Sequence, residues 1–164
     1  VSGAYIGIDP GLDGGIAYIH GYIVGVHPMP KIKIGTKEMI NTDQLRDWIS
    51  ALGPIDLIMI EDVNSNACRS IQTAFSFGRG FGRIETLVKV LERPHDYVSS
   101  PTWLKHFGIR HAKGATQKER KAEHIAVARR LFPSVVLRDT QDGPADALLI
   151  AEYARRLHTG RLAA

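Results

Sequence analysis

The chain is poor in cysteine and in aromatic mass, and it has no long apolar run. Cys68 is the only cysteine among 164 residues, which excludes an internal disulfide and a cysteine-based zinc site and suits a reducing, cytoplasmic setting. The sequence lacks any stretch of about 18 consecutive apolar residues, so no membrane span is expected. The first residues enter a strand-like pattern with no basic segment and apolar core ahead of it, and no secretion signal is expected. The seven histidines are scattered without the His-x-x-x-His spacing of a zinc helix. His20 falls at a turn, and His27, His95, His106, His111 and His124 read as surface or loop residues; none is assigned to metal. No internal repeat, long linker or low-complexity segment occurs. What remains is ordinary globular composition, 44% hydrophobic and 23% charged. One domain over residues 1–164, with a real hydrophobic core, is expected.

The net charge of +4 conceals an asymmetry. Residues 1–68 hold 4 basic and 8 acidic side chains, residues 69–130 hold 13 and 5, and residues 131–164 hold 4 of each. A basic middle third flanked by acid-bearing segments is what a polyanionic substrate beside an acidic site would need. The plain alternative is that these Lys and Arg residues solvate helix faces.

Residues 4–9, 15–19 and 22–27 read as short strands, with turn chemistry over Pro10–Gly15 and a tight turn at His20-Gly21. Lys31 to Lys37 reads as a basic loop. A helix follows over 42–52, with Asn41 and Gln44 as a capping box and Gly53-Pro54 as its stop. Residues 55–61 form an apolar, β-branched run suited to a central strand. Apolar spacing predicts a long helix over 69–91, although Gly78, Gly80 and Gly82 each weaken it by about 1 kcal/mol relative to Ala. These glycines read first as sites of close helix packing, then as an approach for a partner subunit or a nucleic-acid backbone. A short strand over 96–99, a brief helix from Ser100-Pro101 to Gly108, a helix from Thr116 to about Phe132 and a last helix over 144–158 complete the order. That order describes an α/β chain with a mixed five-stranded sheet flanked by helices.

Four acids carry the chemistry. Asp9 closes Tyr5-Ile6-Gly7-Ile8, Glu61 closes Leu57-Ile58-Met59-Ile60, and Asp142 and Asp146 open the last apolar segment. A charge at the end of a buried run costs several kcal/mol unless something binds it. Asp9 and Glu61 lie side by side if their strands are neighbours, and acids four apart on a helix face one way. Magnesium or manganese takes such oxygen ligands, and two ions about 3.5–4 Å apart can serve phosphodiester cleavage. Each acid has a dull alternative: Asp9 as a turn residue before Pro10-Gly11, Asp142 as a helix N-terminal charge. Glu61 and Asp146 are harder to explain that way.

Ile6-Gly7-Ile8-Asp9-Pro10-Gly11 with Gly14-Gly15-Ile16-Ala17, then Ile60-Glu61-Asp62-Val63, then Gly143-Pro144-Ala145-Asp146-Ala147-Leu148-Leu149-Ile150-Ala151 together resemble the three acidic motifs of RuvC-type Holliday junction resolvases, in order. Phe75-Ser76-Phe77-Gly78-Arg79-Gly80 and Ser100-Pro101-Thr102-Trp103-Leu104-Lys105 look most like the phage-encoded branch of that family. The resemblance spans about residues 4–158 and implies a ribonuclease H-like fold. It implies a Mg²⁺-dependent endonuclease, with Mn²⁺ able to substitute, that works as a homodimer in the cytoplasm of a bacterial or phage-infected cell. Such enzymes bind four-way DNA junctions and place paired symmetric nicks. Asp9, Glu61 and Asp146 match the metal ligands. Asp142 is assigned as the fourth, with Asp139 in reserve because Pro144 leaves the direction of Asp142 open. A catalytic cation near the scissile phosphate corresponds to Lys118, or next to Lys121. Arg79, Arg83, Lys105, Arg110, Lys113 and Lys121 are candidate phosphate contacts. Phe75, Phe77 and Phe81 could stack on unpaired bases, or pack in the core or a dimer contact. The long helix over 69–91 is the expected dimer surface.

Three other classes stay open at this point: a broader fork or flap nuclease, a noncatalytic junction-binding module of the same fold, and an actin- or hexokinase-like ATPase. The last needs a second phosphate loop, which the sequence lacks.

Overall fold

The computed structural model describes residues 3–63 and 70–160. In chain order these form β1 (Ala4–Asp9), β2 (Gly15–His20), β3 (Ile23–Pro28), β4 (Lys31–Ile34), β5 (Lys37–Ile40), α1 (Thr42–Ala51), β6 (Ile55–Asp62), α2 (Ile71–Val90), β7 (His95–Ser99), α3 (Ser100–His106), α4 (Gln117–Leu131) and α5 (Asp142–His158). Cys68, and Arg69 at the start of the expected long helix, lie outside the described residues. Among the described residues no helix is long and apolar enough to cross a membrane.

Five strands form one mixed sheet in the order β3-β2-β1-β6-β7. The pairs β1–β2 and β2–β3 are antiparallel, whereas β1–β6 and β6–β7 are parallel. Side chains alternate across a strand, and this divides the sheet into two cores. Ile6, Ile8, Ile58 and Ile60 turn to one face and pack with Leu45 and Ile49 of α1 and Ile84 and Val88 of α2. Tyr5 and Met59 turn to the other face, against Trp103 of α3, Ile125 of α4 and the buried side of α5. Asp9 and Glu61 continue the second series, so both belong to the α5 face.

Helix α5 lies directly on β1. A Cβ at Gly7 would meet Ala147 O at 2.0 Å and Ala151 N at 2.3 Å, so only glycine admits the helix at this depth. Gly143 does the same at the helix start, where a Cβ would stand 2.3 Å from Asp13 O. Two glycines thus let α5 press onto the sheet at its middle, through Gly7, and onto the loop that follows Asp9 at its start, through Gly143.

Three expectations change. Lys31 to Lys37 is not a loop, because β4 and β5 pair as a hairpin with Ile32 opposite Met39 and Gly35 at φ 62° in its turn. Helix α5 begins at Asp142 with Gln141 as its cap. Pro144 is its third residue, where a missing N–H costs the helix nothing. The glycines of α2 do not share one role. A Cβ on Gly80 would come within 3.1 Å of Ile40 Cδ1, but Gly78 and Gly82 face open space, so close packing explains only the first. The caps at Asn41 and Thr116 are present, the latter with both reciprocal bonds of a capping box.

Candidate active site

Parallel pairing sets Gly7 beside Met59 and Ile8 beside Ile60, and the next residues in register are Asp9 and Glu61. Parallel strands end at the same edge, so two carboxylates emerge together from the centre of the sheet. Helix α5 runs over that edge and adds Asp142 from its first position and Asp146 one turn later. Asp9 feels the charges of Glu61, Asp146 and Asp142, and Glu61 feels that of Asp146. The structure therefore brings all four expected acids within electrostatic range of one another.

Their surroundings differ. Burial, reinforced by Glu61 and Asp146 and opposed by the Gly11 N–H, raises the Asp9 carboxyl well above the usual range. Among the described residues its only hydrogen bond is the long one from Gly11 N at 3.5 Å. Burial also raises Glu61, against the lowering effect of two donors: Ser100 Oγ at 2.7 Å and Trp103 Nε1 at 3.0 Å on the same oxygen. Burial raises Asp146 too, opposed by His124, whose Nδ1 lies 2.7 Å from Asp146 Oδ1. Asp142 is paired with Lys121 at 2.6 Å, and that bond raises the Lys121 ammonium above its usual range.

Three of the acids thus rest on donors of the chain itself. Among the described residues no three His, Cys, Asp or Glu side chains stand close enough together to hold an ion as they are. The donor set nevertheless suits a hard divalent cation. It is all carboxylate oxygen with no sulfur, and it converges like charges that a low-dielectric site cannot leave ionised and unpaired.

The other expected residues fall in several places. Asp139 is 89% exposed and paired with Arg129 at 2.7 Å. Lys118 is exposed on the first turn of α4, and it is Lys121, one turn on, that reaches the acids. Of the two candidate lysines, Lys121 is the one paired with an expected acid. Arg79 is exposed on α2 with its guanidinium 5.8 Å above the Phe75 ring, and Arg83 is half-buried one turn later. Lys105, Arg110 and Lys113 are exposed on α3 and in the connection after it. Phe75 is 67% exposed, whereas Phe81 packs between Phe77 and Tyr97 at ring distances of 6.3 and 6.2 Å.

No known family profile and no curated protein matches the sequence. Solved structures do. Thermus thermophilus RuvC in complex with a Holliday junction substrate superposes with a TM-score of 0.65 at 14% identity, over 98% of this chain and 96% of that one. A second Thermus thermophilus RuvC structure gives a TM-score of 0.56 at 16% identity, over 94% and 97%. The fold is that of RuvC. Both neighbours support the RuvC-like, ribonuclease H-like architecture and neither supports a phage-encoded branch.

On this RuvC fold the sequence reading missed one participant. His124 is not a surface residue. It is 9% exposed, its ring meets Trp103 edge-on at 5.4 Å, and its Nε2 lies 2.9 Å from His111 Nε2. With Asp146 ionised, His124 Nδ1–H donates to it, and the two Nε2 atoms of His124 and His111 share one hydrogen bond whose donor is set by the tautomers. The only hint in the sequence was spacing, since His124 precedes Ile125 and lies one turn before Ala128 on the buried stripe of α4. Trp103 completes the arrangement by serving both ends, donating to Glu61 and backing His124.

Proposed function

We propose that the chain is a metal-dependent, structure-selective DNA endonuclease that resolves four-way junctions as a homodimer, through paired symmetric nicks. The observation that carries this reading is the convergence of Asp9, Glu61, Asp142 and Asp146 at one edge of a RuvC-fold sheet. It is supported by the solved RuvC neighbour's complex with a Holliday junction substrate and by the surplus of basic residues over 69–130. The phage-like branch rests on the Phe75–Gly80 and Ser100–Lys105 motifs alone.

In this reading Asp9, Glu61 and Asp146, with Asp142, hold Mg²⁺, or Mn²⁺ in its place. Bound there, the cation supplies a more acidic water and neutralises charge on the phosphate. The chain's own residues do the rest. Ser100 and Trp103 fix the Glu61 carboxylate through one oxygen, and His124 fixes that of Asp146 through one oxygen, which leaves the second oxygen of each for a cation. Lys121 stands beside Asp142, where an ammonium can meet a phosphate oxygen as its charge grows. Arg79, Arg83, Lys105, Arg110 and Lys113 are phosphate contacts that position DNA without reading its sequence.

The test is incubation of the protein with matched four-way, forked and linear DNA in Mg²⁺ and in EDTA. Magnesium-dependent paired nicks confined to the four-way junction are expected. Equal or greater cutting of forks makes the protein a broader branch nuclease. Binding without cutting, in Mg²⁺ and in Mn²⁺, makes it a noncatalytic junction-binding module.

A further inference from the structure

His111 lies in the connection between α3 and α4, and that connection is fixed on both sides of it. Ile109 is buried in the core on the α5 face, and its N–H donates to Leu104 O at 3.0 Å. Ala115 N closes a turn on Ala112 O at 3.0 Å, immediately before the Thr116 capping box. The His111 side chain is only 19% exposed. Its ring stands against that of His124 with centroids 5.0 Å apart and planes inclined by 27°. With 2.9 Å between the two Nε2 atoms, the rings meet nitrogen to nitrogen.

We infer that His111 is a positioning residue for the candidate metal ligand Asp146, acting through the His124 ring. An imidazole hydrogen-bonded at one nitrogen can still rock about that bond, and half a turn about its last torsion exchanges nitrogens for carbons. His124 is bonded at both nitrogens, to Asp146 Oδ1 at 2.7 Å from Nδ1 and to His111 from Nε2, so neither motion is free. Trp103 meets the same ring edge-on at 5.4 Å and, itself 1% exposed, closes that side to water. Among the described residues His111 is the only hydrogen-bond partner of His124 Nε2. Glu123 Oε2 is 4.0 Å from His111 Nε2, beyond hydrogen-bonding distance, so the contact with His124 is what holds the His111 ring. Partners one step behind a metal ligand set its orientation. Here the chain of contacts runs a step further, from Asp146 through His124 to a fixed segment of backbone outside both helices. The inference rests on the nuclease reading for what Asp146 would hold, and half of its test needs no metal.

The Gln amide reaches about as far as an imidazole Nε2 and the Asn amide stops one carbon short, so this pair separates the contact from mere polarity. Calorimetric Mn²⁺ affinity is expected to fall about 3- to 10-fold in His111→Asn and to return to within about two-fold in His111→Gln, with melting temperatures equal to the wild type's. In a His124→Phe background, His111→Asn is expected to cost nothing further, because the two residues act in series. Losses that multiply in the double variant overturn the inference. Unchanged Mn²⁺ affinity in His111→Asn also overturns it, and with a lowered melting temperature makes His111 a packing residue. The metal-free readout is exchange of the His124 Nδ1 proton with water, followed by ¹⁵N-resolved NMR in EDTA. Slow exchange in the wild type and His111→Gln, and exchange about ten-fold faster in His111→Asn, is expected; equal rates in all three overturn the inference. If that pattern appears while the wild type binds no Mn²⁺, the nuclease reading fails and the positioning of Asp146 by His111 stands.

Discussion

Replacing Gly7 by Ala tests how the site is assembled. The new methyl carbon would lie 2.0 Å from Ala147 O and 2.3 Å from Ala151 N, both backbone atoms of α5. Unbonded heavy atoms rest at about 3.5 Å, so the helix must withdraw by roughly 1–1.5 Å or the strand must bend as far. Overpacking of this kind costs about 1–3 kcal/mol. In a chain of this size that lowers the melting temperature by roughly 2–12 °C. Withdrawal of α5 also carries Asp142 and Asp146 away from Asp9 and Glu61, and a displacement of about 1 Å is enough for a loss on the order of 100-fold in rate. The assay pairs a thermal melt with single-turnover cleavage of a four-way junction, run well below the variant's melting point so that unfolding cannot account for the loss. A Gly7→Ala protein that melts and cuts like the wild type would refute the claim that the contact between α5 and β1 sets the carboxylate geometry.

Asp9→Asn should abolish cleavage yet melt higher than the wild type in EDTA. A carboxyl raised in the folded state stabilises the fold below its unfolded pKa, and that contribution is lost as pH rises through the raised value. At neutral pH the buried charge is therefore a burden that Asn removes; a lower melting point for Asp9→Asn in EDTA would contradict this. The same raised carboxyls, Asp9, Glu61 and Asp146, must shed protons to hold a cation. Calorimetric Mn²⁺ affinity should accordingly fall as pH drops through their range, with proton release on binding. Lys121→Gln should slow cleavage by about 100-fold while Lys118→Gln stays near wild type, and the opposite ranking in single-turnover rates would return the catalytic role to Lys118. His124→Phe keeps a ring but loses the donor to Asp146, so Mn²⁺ affinity should drop by about 10- to 100-fold; unchanged affinity in a titration would remove His124 from the site.

The parts of the fold that follow from periodicity were legible in the sequence. The apolar runs ending at Asp9 and Glu61 gave both strands, and their common direction put the two acids side by side. The capping box at Thr116 and the proline after Phe132 bounded α4. The hairpin β4–β5 was also written in the chain, as Lys31-Ile32-Lys33-Ile34 alternates and Gly35-Thr36 turns, but its lysines read as solvated loop. Tertiary relations were less visible. Whether Lys118 or Lys121 meets the acids depends on how α4 is rotated against α5. Whether a helix glycine packs or stands open depends on what lies opposite, as Gly80 and Gly82 show. His124 was invisible for the same reason, because its partners stand 13 and 22 residues away.

Asp146 belongs to a helix whose buried side is Ala145, Ala147, Leu148, Leu149, Ile150, Ala151 and Ala154, and that helix touches β1, β2, β3 and β6 at once. The fourfold attachment makes the chemistry hard to move and easy to silence. Shifting the acid by one position would drag a core helix across four strands, whereas exchanging one oxygen for an amide nitrogen leaves every apolar contact in place. On the proposed nuclease reading, a form that grips DNA without cutting it is one substitution away, and a form that cuts from a different spot would have to be rebuilt from the sheet outward.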